Sequence, residues 1–498
     1  MDALQYWIQG FSVATMPMNL LYAFIGCILG TLIGVLPGLG PAAGTAILIP
    51  VTFSLDPIGG IIMLAAIYYG AMYGGTITSV LVNVPGEAAS VITCLDGYQM
   101  AKQGRAGPAL GIAAIGSFIG GTFATFSLMV VSLPLATLAL RFGPPEVFAL
   151  LVVGLSLVTG LSGRSLLAAL IMTLFGLLLS MIGMDPVRGA PRFTLSIPAL
   201  YDGVGFIPVV MGLFGVGEIL LSMEKPVLEI IKTKLTDLLP KAKEWKVSAG
   251  AIGRGTIIGF FLGLIPGIGS IIPTFLAYVV EKKVSKHPEK FGTGVIEGVA
   301  APETANNSYA NAAMVPLLTL GIPGSPTLAV LMGAFIIHGL TPGPFLFKEH
   351  PDVVWGLIAS LYLGNLILLV LNLPLVGFWA KLLEIRYQFL YPGILLFCVL
   401  GAYSLNQSVF DVGIMIGFGV LGYIFRKIDW PLAPTVLALI LGPMMERNLR
   451  TALEMSGGDL SILVTRPISA GLLIVAAVVL LTPAVRLFGK RAGKDEGG

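Results

Sequence analysis

Long apolar runs follow one another from end to end of this chain, separated by short polar breaks, and no water-soluble fold can hide that many of them. The clearest cover residues 17–36, 57–73, 108–140, 166–184, 204–223, 353–378 and 468–481. About 20 apolar residues cross the hydrocarbon core as a helix. Runs of this length and number predict about twelve transmembrane segments. Lipid offers the backbone no hydrogen-bond partners, so the spans must be helices or a closed barrel. The expected fold class is therefore an all-α polytopic membrane protein. Composition agrees: 56% of the 498 residues are hydrophobic and 11% are charged, against about 25% charged in soluble proteins.

The N-terminal stretch MDALQYWIQGF lacks the positive segment of a cleavable signal peptide, so the first run is expected to be retained. Cys27, Cys94 and Cys398 have no close spacing and read as small packing residues. One long polar interruption, MEKPVLEIIKTKLTDLLPKAKEWK at 223–246, divides the chain. Leu228, Ile231, Leu235 and Leu238 fall on one helical face there, which predicts a helix lying in the membrane interface. Its six lysines, and the basic tail at 486–494, place both on the cytoplasmic side. The domain reading is a first transmembrane half at 1–222, an interfacial linker at 223–248 and a second half at 249–498.

The halves share a motif. GVLPGLGP at 34–41 returns as GLIPGIGS at 263–270. Gly26, Gly30, Gly34, Pro37, Gly38 and Gly40 match Gly255, Gly259, Gly263, Pro266, Gly267 and Gly269 in strict register, which predicts two structural repeats. Glycines four apart line one helix face and let a neighbouring helix come close. Pro-Gly-x-Gly then breaks the helix, because proline removes a donor and glycine permits helix-ending angles. Each repeat is therefore expected to carry a broken or re-entrant helix; hairpin and interrupted span both fit. Such a break exposes a helix start, whose free N–H groups and positive dipole end suit an anion. Paired breaks in two repeats are the pattern of a transporter site near mid-membrane. A second Pro-Gly break follows in each half, NVPGEAAS at 83–90 and GIPGSPT at 321–327. Polar stretches precede them: YYGAMYGGTITS at 68–79 and PETANNSYANAA at 302–313. Glu303, with Thr304, Asn306, Asn307, Ser308, Tyr309 and Asn311 nearby, is an ionisable residue at membrane depth and a candidate for a cation or proton. Glu87 reads either as a helix-terminal charge or as a second such group. Asp56, Asp96 and Asp202 read as turn or interface residues.

Other chemistry is thin. His287, His338 and His350 have no ligand spacing, so no transition-metal site is expected. GxGxxG matches once, as GFGVLG at 417–422, inside an apolar run, where it reads as helix packing. GLSG at 160–163 and the pair Tyr201-Asp202 resemble short intramembrane-protease motifs. Ser162 lacks an obvious histidine partner and Asp202 lacks a GxGD, so no enzyme is expected. A passive anion channel or a structural membrane partner is the remaining alternative, separable by concentrative uptake.

Four longer stretches carry a resemblance: GVLPGLGPAAGTAILIPVTF, YYGAMYGGTITSVLVNVPGEAAS, DGYQMAKQGRAGPAL and APETANNSYANAAMVPLLTLGIPGSPTLAVLMGAFIIHGLTPGP. Together they look like the large membrane subunit of the bacterial tripartite tricarboxylate transporters, the TctA family. That resemblance implies secondary active uptake of a carboxylate, citrate or another tri- or dicarboxylate, across the inner membrane. It implies Na⁺ as coupling ion and no other cofactor. It also implies two partners, a small four-span membrane subunit (TctB-like) and a periplasmic solute-binding protein (TctC-like). On the residues of this chain, the substrate would be held at the helix starts of Pro37, Gly38 and Gly40 and of Pro266, Gly267, Gly269 and Ser270. Thr76, Thr78, Ser79 and Asn83, with Asn306, Asn307 and Asn311, would supply selectivity. The ion would take oxygens around Pro85, Gly86 and Glu87, Glu303 and Thr304, and Pro323, Gly324 and Ser325.

Overall fold

The structure, a computed structural model, describes residues 3–36, 39–161, 165–185, 189–224, 238–383 and 387–495. The chain opens with α1 (Ala3–Ala14) and α2 (Pro17–Val35). After the first break come α3 (Gly40–Leu48), a 3₁₀ turn at Ile49–Ser54 and the long α4 (Pro57–Val82). The second break leads into α5 (Thr93–Lys102) and α6 (Ala106–Ala139), followed by α7 (Pro144–Leu161) and α8 (Leu166–Ser180). A small antiparallel pair, β1 (Gly183–Met184) with β2 (Pro191–Arg192), precedes α9 (Phe206–Val210). A π-helical turn at Met211–Val216 continues α9 into α10 (Gly217–Ser222).

The later helices begin with α11 (Ala242–Gly263), α12 (Ile271–Val284), α13 (Glu297–Ala312) and α14 (Met314–Leu320). Then come α15 (Pro326–Ile337), α16 (Leu346–Glu349), α17 (Pro351–Asn372) and α18 (Val376–Leu382). The last are α19 (Tyr387–Asn406), α20 (Val409–Lys427), α21 (Ala433–Met455), α22 (Ile462–Thr465) and α23 (Pro467–Asp495). Among the described residues five helices, α2, α4, α6, α17 and α20, are long and apolar enough to cross a membrane, and seven shorter apolar helices accompany them. This is an all-α polytopic membrane fold. Most of the predicted interfacial helix, including Leu228, Ile231 and Leu235, lies outside the described residues; Leu238 is half-buried just ahead of α11.

The two glycine rows do the same work in two places. A Cβ on Gly26, Gly30 or Gly34 would strike the α4 carbonyls of Met63, Ile67 and Ala71. A Cβ on Gly255, Gly259 or Gly263 would meet the α13 carbonyls of Ala301, Ala305 and Tyr309. Small residues let the helix pairs touch backbone to backbone, the usual means of close packing where lipid gives no hydrophobic drive. The contacted carbonyls also step by four, and they stand 238 residues apart, whereas the glycines stand 229 apart. The match resumes at the second break. Asn83 (φ 58°) ends α4 and Gly321 (φ 69°) ends α14, both left-handed and again 238 apart. Next, Glu87 accepts from the Ala89 amide at 3.0 Å, and Ser325, its counterpart, accepts from the Leu328 amide at 3.3 Å.

The first breaks are hairpins. Arg254, nine residues before the end of α11, makes a two-pronged pair with Glu281, ten residues after the start of α12, both bonds at 2.7 Å. Only a chain that doubles back brings those two positions together. In the first copy α3 folds back likewise: Gly44 sits against the Ile33 side chain of α2. The re-entrant helices then cross over. α3 packs on α15, and α12 packs on the turn at Ala88–Val91.

Candidate functional site

Two helix starts face open space. α3 begins at Gly40 (φ 60°) and α12 just after Gly269 (φ 72°), and neither start has a side-chain cap. Nothing lies within 4 Å of where a Cβ would stand on Gly40 or Gly269. Gly267 (φ 80°) is instead packed against Leu157 and Val158 of α7. Pro266 and Ser270 are half-buried. Pro37 and Gly38 lie outside the described residues. In the second copy the two breaks are joined: the Gly324 carbonyl accepts from the Gly269 amide at 3.3 Å and from the Tyr309 hydroxyl at 2.8 Å. In the first copy Gly86 lies so close to the Gly34 carbonyl and Gly75 that a Cβ has no room. Pro323 and Gly324 are buried, and Pro85 is half-buried.

Across the seam lie two buried carboxylates. Glu303, on α13, is 1% exposed; it accepts from the Thr76 hydroxyl of α4 at 2.5 Å and from the Thr93 hydroxyl that opens α5. Glu87 is 4% exposed; it accepts from Asn306 Nδ2 at 2.8 Å as well as from the Ala89 amide. Every hydrogen bond of the pair to another side chain therefore joins the earlier helices to α13. Polar atoms nearby are left over: Asn306 Oδ1, Asn307 Oδ1 and Thr304 Oγ1 are buried without hydrogen-bond partners. Thr304 and Asn307 face Gly116 and Ser117 of α6, whereas the Asn306 amide lies against Glu87; buried polar groups ordinarily find partners, so an orphaned amide oxygen beside a buried carboxylate is unusual.

The remaining candidates are spread more widely. Asn307 Nδ2 donates to Ser117 of α6 at 2.6 Å. Asn311 Nδ2 donates to Tyr69, to the Gly121 carbonyl and to Thr125, tying α13 to α4 and α6. Thr78 and Ser79 both donate to the Gly75 carbonyl of their own helix. Asn83 is exposed at the end of α4, where asparagine suits the left-handed turn. Ser162 lies outside the described residues, and Asp202 is exposed. Among the described residues no group of three or more His, Cys, Asp or Glu is placed to hold a metal. Sequence reasoning missed Thr93 and Tyr68. Thr93 is a lone hydroxyl at a helix start 210 residues from Glu303, so it gave no sequence signal. Tyr68 lay inside a stretch already marked as polar, and its register with Asn306 was the available clue.

A helical membrane core with paired backbone breaks, and polar and ionisable side chains buried between them, defines a multi-pass membrane transporter. The model of the tripartite tricarboxylate transporter TctA family matches residues 20–437, and the chain belongs to that family. It is thus of a transporter family, not an enzyme family. It is 46% identical over 490 residues to an uncharacterized 52.8 kDa protein in the TAR-I ttuC′ 3′ region of Agrobacterium vitis, covering 98% of both chains. It is 47% identical over 231 residues to an uncharacterized protein in the TAR-II ttuC′ 3′ region of the same organism, covering 46% of this chain and 96% of that one. No solved structure matches.

Proposed function

We propose that this protein is the large permease subunit of a binding-protein-dependent tripartite system for secondary active, Na⁺-coupled uptake of a carboxylate. Citrate and other tri- or dicarboxylates are the substrate class. A TctC-like periplasmic receptor delivers the substrate, and a TctB-like small subunit completes the inner-membrane complex. Family membership supports the transporter class. The observation that carries the substrate class is the matched pair of helix starts without a side-chain cap, one at Gly40 and one just beyond Gly269, whose own amide is taken by the Gly324 carbonyl. Exposed backbone amides at a helix start bind carboxylates without a basic side chain. Such a site takes an anion and releases it again without a basic side chain to lock it in place.

The test is uptake of labelled citrate and a panel of di- and tricarboxylates into vesicles carrying the whole tripartite complex, with an imposed Na⁺ gradient. Concentrative, Na⁺-dependent uptake is expected. Gly40→Ala and Gly269→Ala put a methyl into the open space and also a side chain on a left-handed backbone (φ 60° and 72°); in variants that still fold and assemble they are expected to raise KM at least several-fold. Uptake that only equilibrates the substrate, or that ignores both methyls, overturns the reading.

A further inference from the structure

The two copies share a framework, but they do not carry the same chemistry at the seam. With the 238-residue register, Glu87 corresponds to Ser325, Asn306 to Tyr68, Glu303 to Ala65, Thr76 to Met314 and Thr93 to Leu331. The contacts are reciprocal as well. Asn306 of the later copy reaches Glu87 of the earlier one. Tyr68 of the earlier copy points at Ser325 of the later one, without completing a hydrogen bond. One end of the seam therefore holds two carboxylates, an amide and two hydroxyls. Its mirror image holds a serine, a phenol and three apolar side chains.

At the acidic end acceptors outnumber donors. All four carboxylate oxygens of Glu87 and Glu303 already accept, from Asn306, Ala89, Thr76 and Thr93. The buried amide oxygen of Asn306, 1% exposed, has no donor at all. Cys94 and Tyr68 are the other titratable groups facing the pair, and among the described residues no Lys, Arg or His joins them. Buried charge of one sign calls for a counter-charge. Two carboxylates and an amide oxygen without a donor, gathered with no cationic side chain among the described residues, have the character of a cation's coordination shell.

We propose that Glu87, Glu303 and the Asn306 amide oxygen form a single site for a small monovalent cation, and that the Ser325–Tyr68 end is its uncharged relic. The assignment deepens the proposed function and rests on it for the cation's role in coupling. Because Glu87 belongs to the earlier copy and Glu303 and Asn306 to the later one, an ion here fastens the two together. Ion occupancy is thereby tied to the relative position of the copies, as alternating access requires.

The test needs no substrate. The purified full chain in detergent is heated in NaCl against choline chloride at fixed pH and ionic strength, and separately across pH at fixed Na⁺. Radioactive sodium binding is measured in parallel. At roughly tenfold over Kd, Na⁺ is expected to raise the unfolding midpoint by about 1–3 °C, with one sodium bound per chain. Glu87→Gln and Glu303→Gln are expected to abolish the shift, and Asp202→Asn to retain it. Thr76→Val keeps both carboxylates and is expected to weaken binding, which guards against misfolding of the glutamine variants. A pH-dependent shift lost in the same variants, with Na⁺ inert, identifies the bound cation as a proton and also supports the site. A cation effect that survives both glutamine variants, or no effect of either cation, overturns it. Intact cation binding in a chain that moves no carboxylate would instead leave the site standing and overturn the uptake reading.

Discussion

At Gly30 and Gly259 an added methyl would run into the carbonyls of Ile67 and Ala305, whereas at Gly253, on the outer side of α11, it would meet nothing. The same substitution should therefore have opposite consequences. Gly30→Ala and Gly259→Ala force a helix pair apart and are expected to cost about 1–3 kcal/mol each, the usual range for overpacking. Gly253→Ala removes only a flexible residue from a helix and is expected to be neutral or stabilising by up to about 1 kcal/mol. Unfolding midpoints of the detergent-purified chain check this; equal losses at all three positions would show that glycine's flexibility matters here and its size does not. The glycine rows were readable in the sequence because a four-residue step marks one helix face whatever it meets. Their partners were not readable. Taken in register, Met63, Ile67 and Ala71 match Ala301, Ala305 and Tyr309 at none of the three positions, since it is the backbone that is touched.

Asp96 binds three elements into one. From the first turn of α5 it accepts from the amides of Gly292, Gly294 and Val295, at 2.8 to 3.0 Å, and from the Tyr278 hydroxyl of α12 at 2.8 Å. Its side chain is wholly buried, against Gly298 of α13. The sequence placed Asp96 at a turn or interface, and nothing there pointed to its partners: they are backbone amides in a glycine-containing loop almost 200 residues away. Asp96→Ala strands those donors and is expected to destabilise the chain by about 3 kcal/mol or more, given 1.5–3 kcal/mol for each hydrogen bond to a charged group. Asp96→Asn keeps one acceptor and should fall between. Hydrogen exchange at Gly292, Gly294 and Val295 is the sharper measurement, because it should quicken there before α13 responds; unchanged exchange in Asp96→Ala would mean that the loop holds itself. The hairpin at the first break was likewise open in the sequence. A Pro-Gly break fixes where a helix stops and leaves the onward direction free, and it took the Arg254–Glu281 pair to show that the chain turns back.

A duplicated core with charge at one end only has a thermodynamic consequence for the whole molecule. If the substrate anion sits at the bare helix starts and the cation at the Glu87–Glu303 end, each ligand stabilises the same arrangement of the two copies. Linkage then requires that the cation tighten carboxylate binding by the same factor as the carboxylate tightens cation binding. Couplings of this kind typically amount to about 5–150-fold, or 1–3 kcal/mol. Calorimetric titration of the purified chain with carboxylate, at zero and at saturating Na⁺ with choline chloride balancing the ionic strength, gives one factor; titration with Na⁺ at zero and saturating carboxylate gives the other. Two equal factors well above one are expected. In Thr93→Val, which removes one of the hydroxyls on Glu303 and leaves the helix starts untouched, the factor should shrink while carboxylate affinity without Na⁺ stays the same. A factor of one in the unaltered chain would mean that the ends of the seam do not communicate, and that whatever couples uptake to an ion gradient lies elsewhere in the complex.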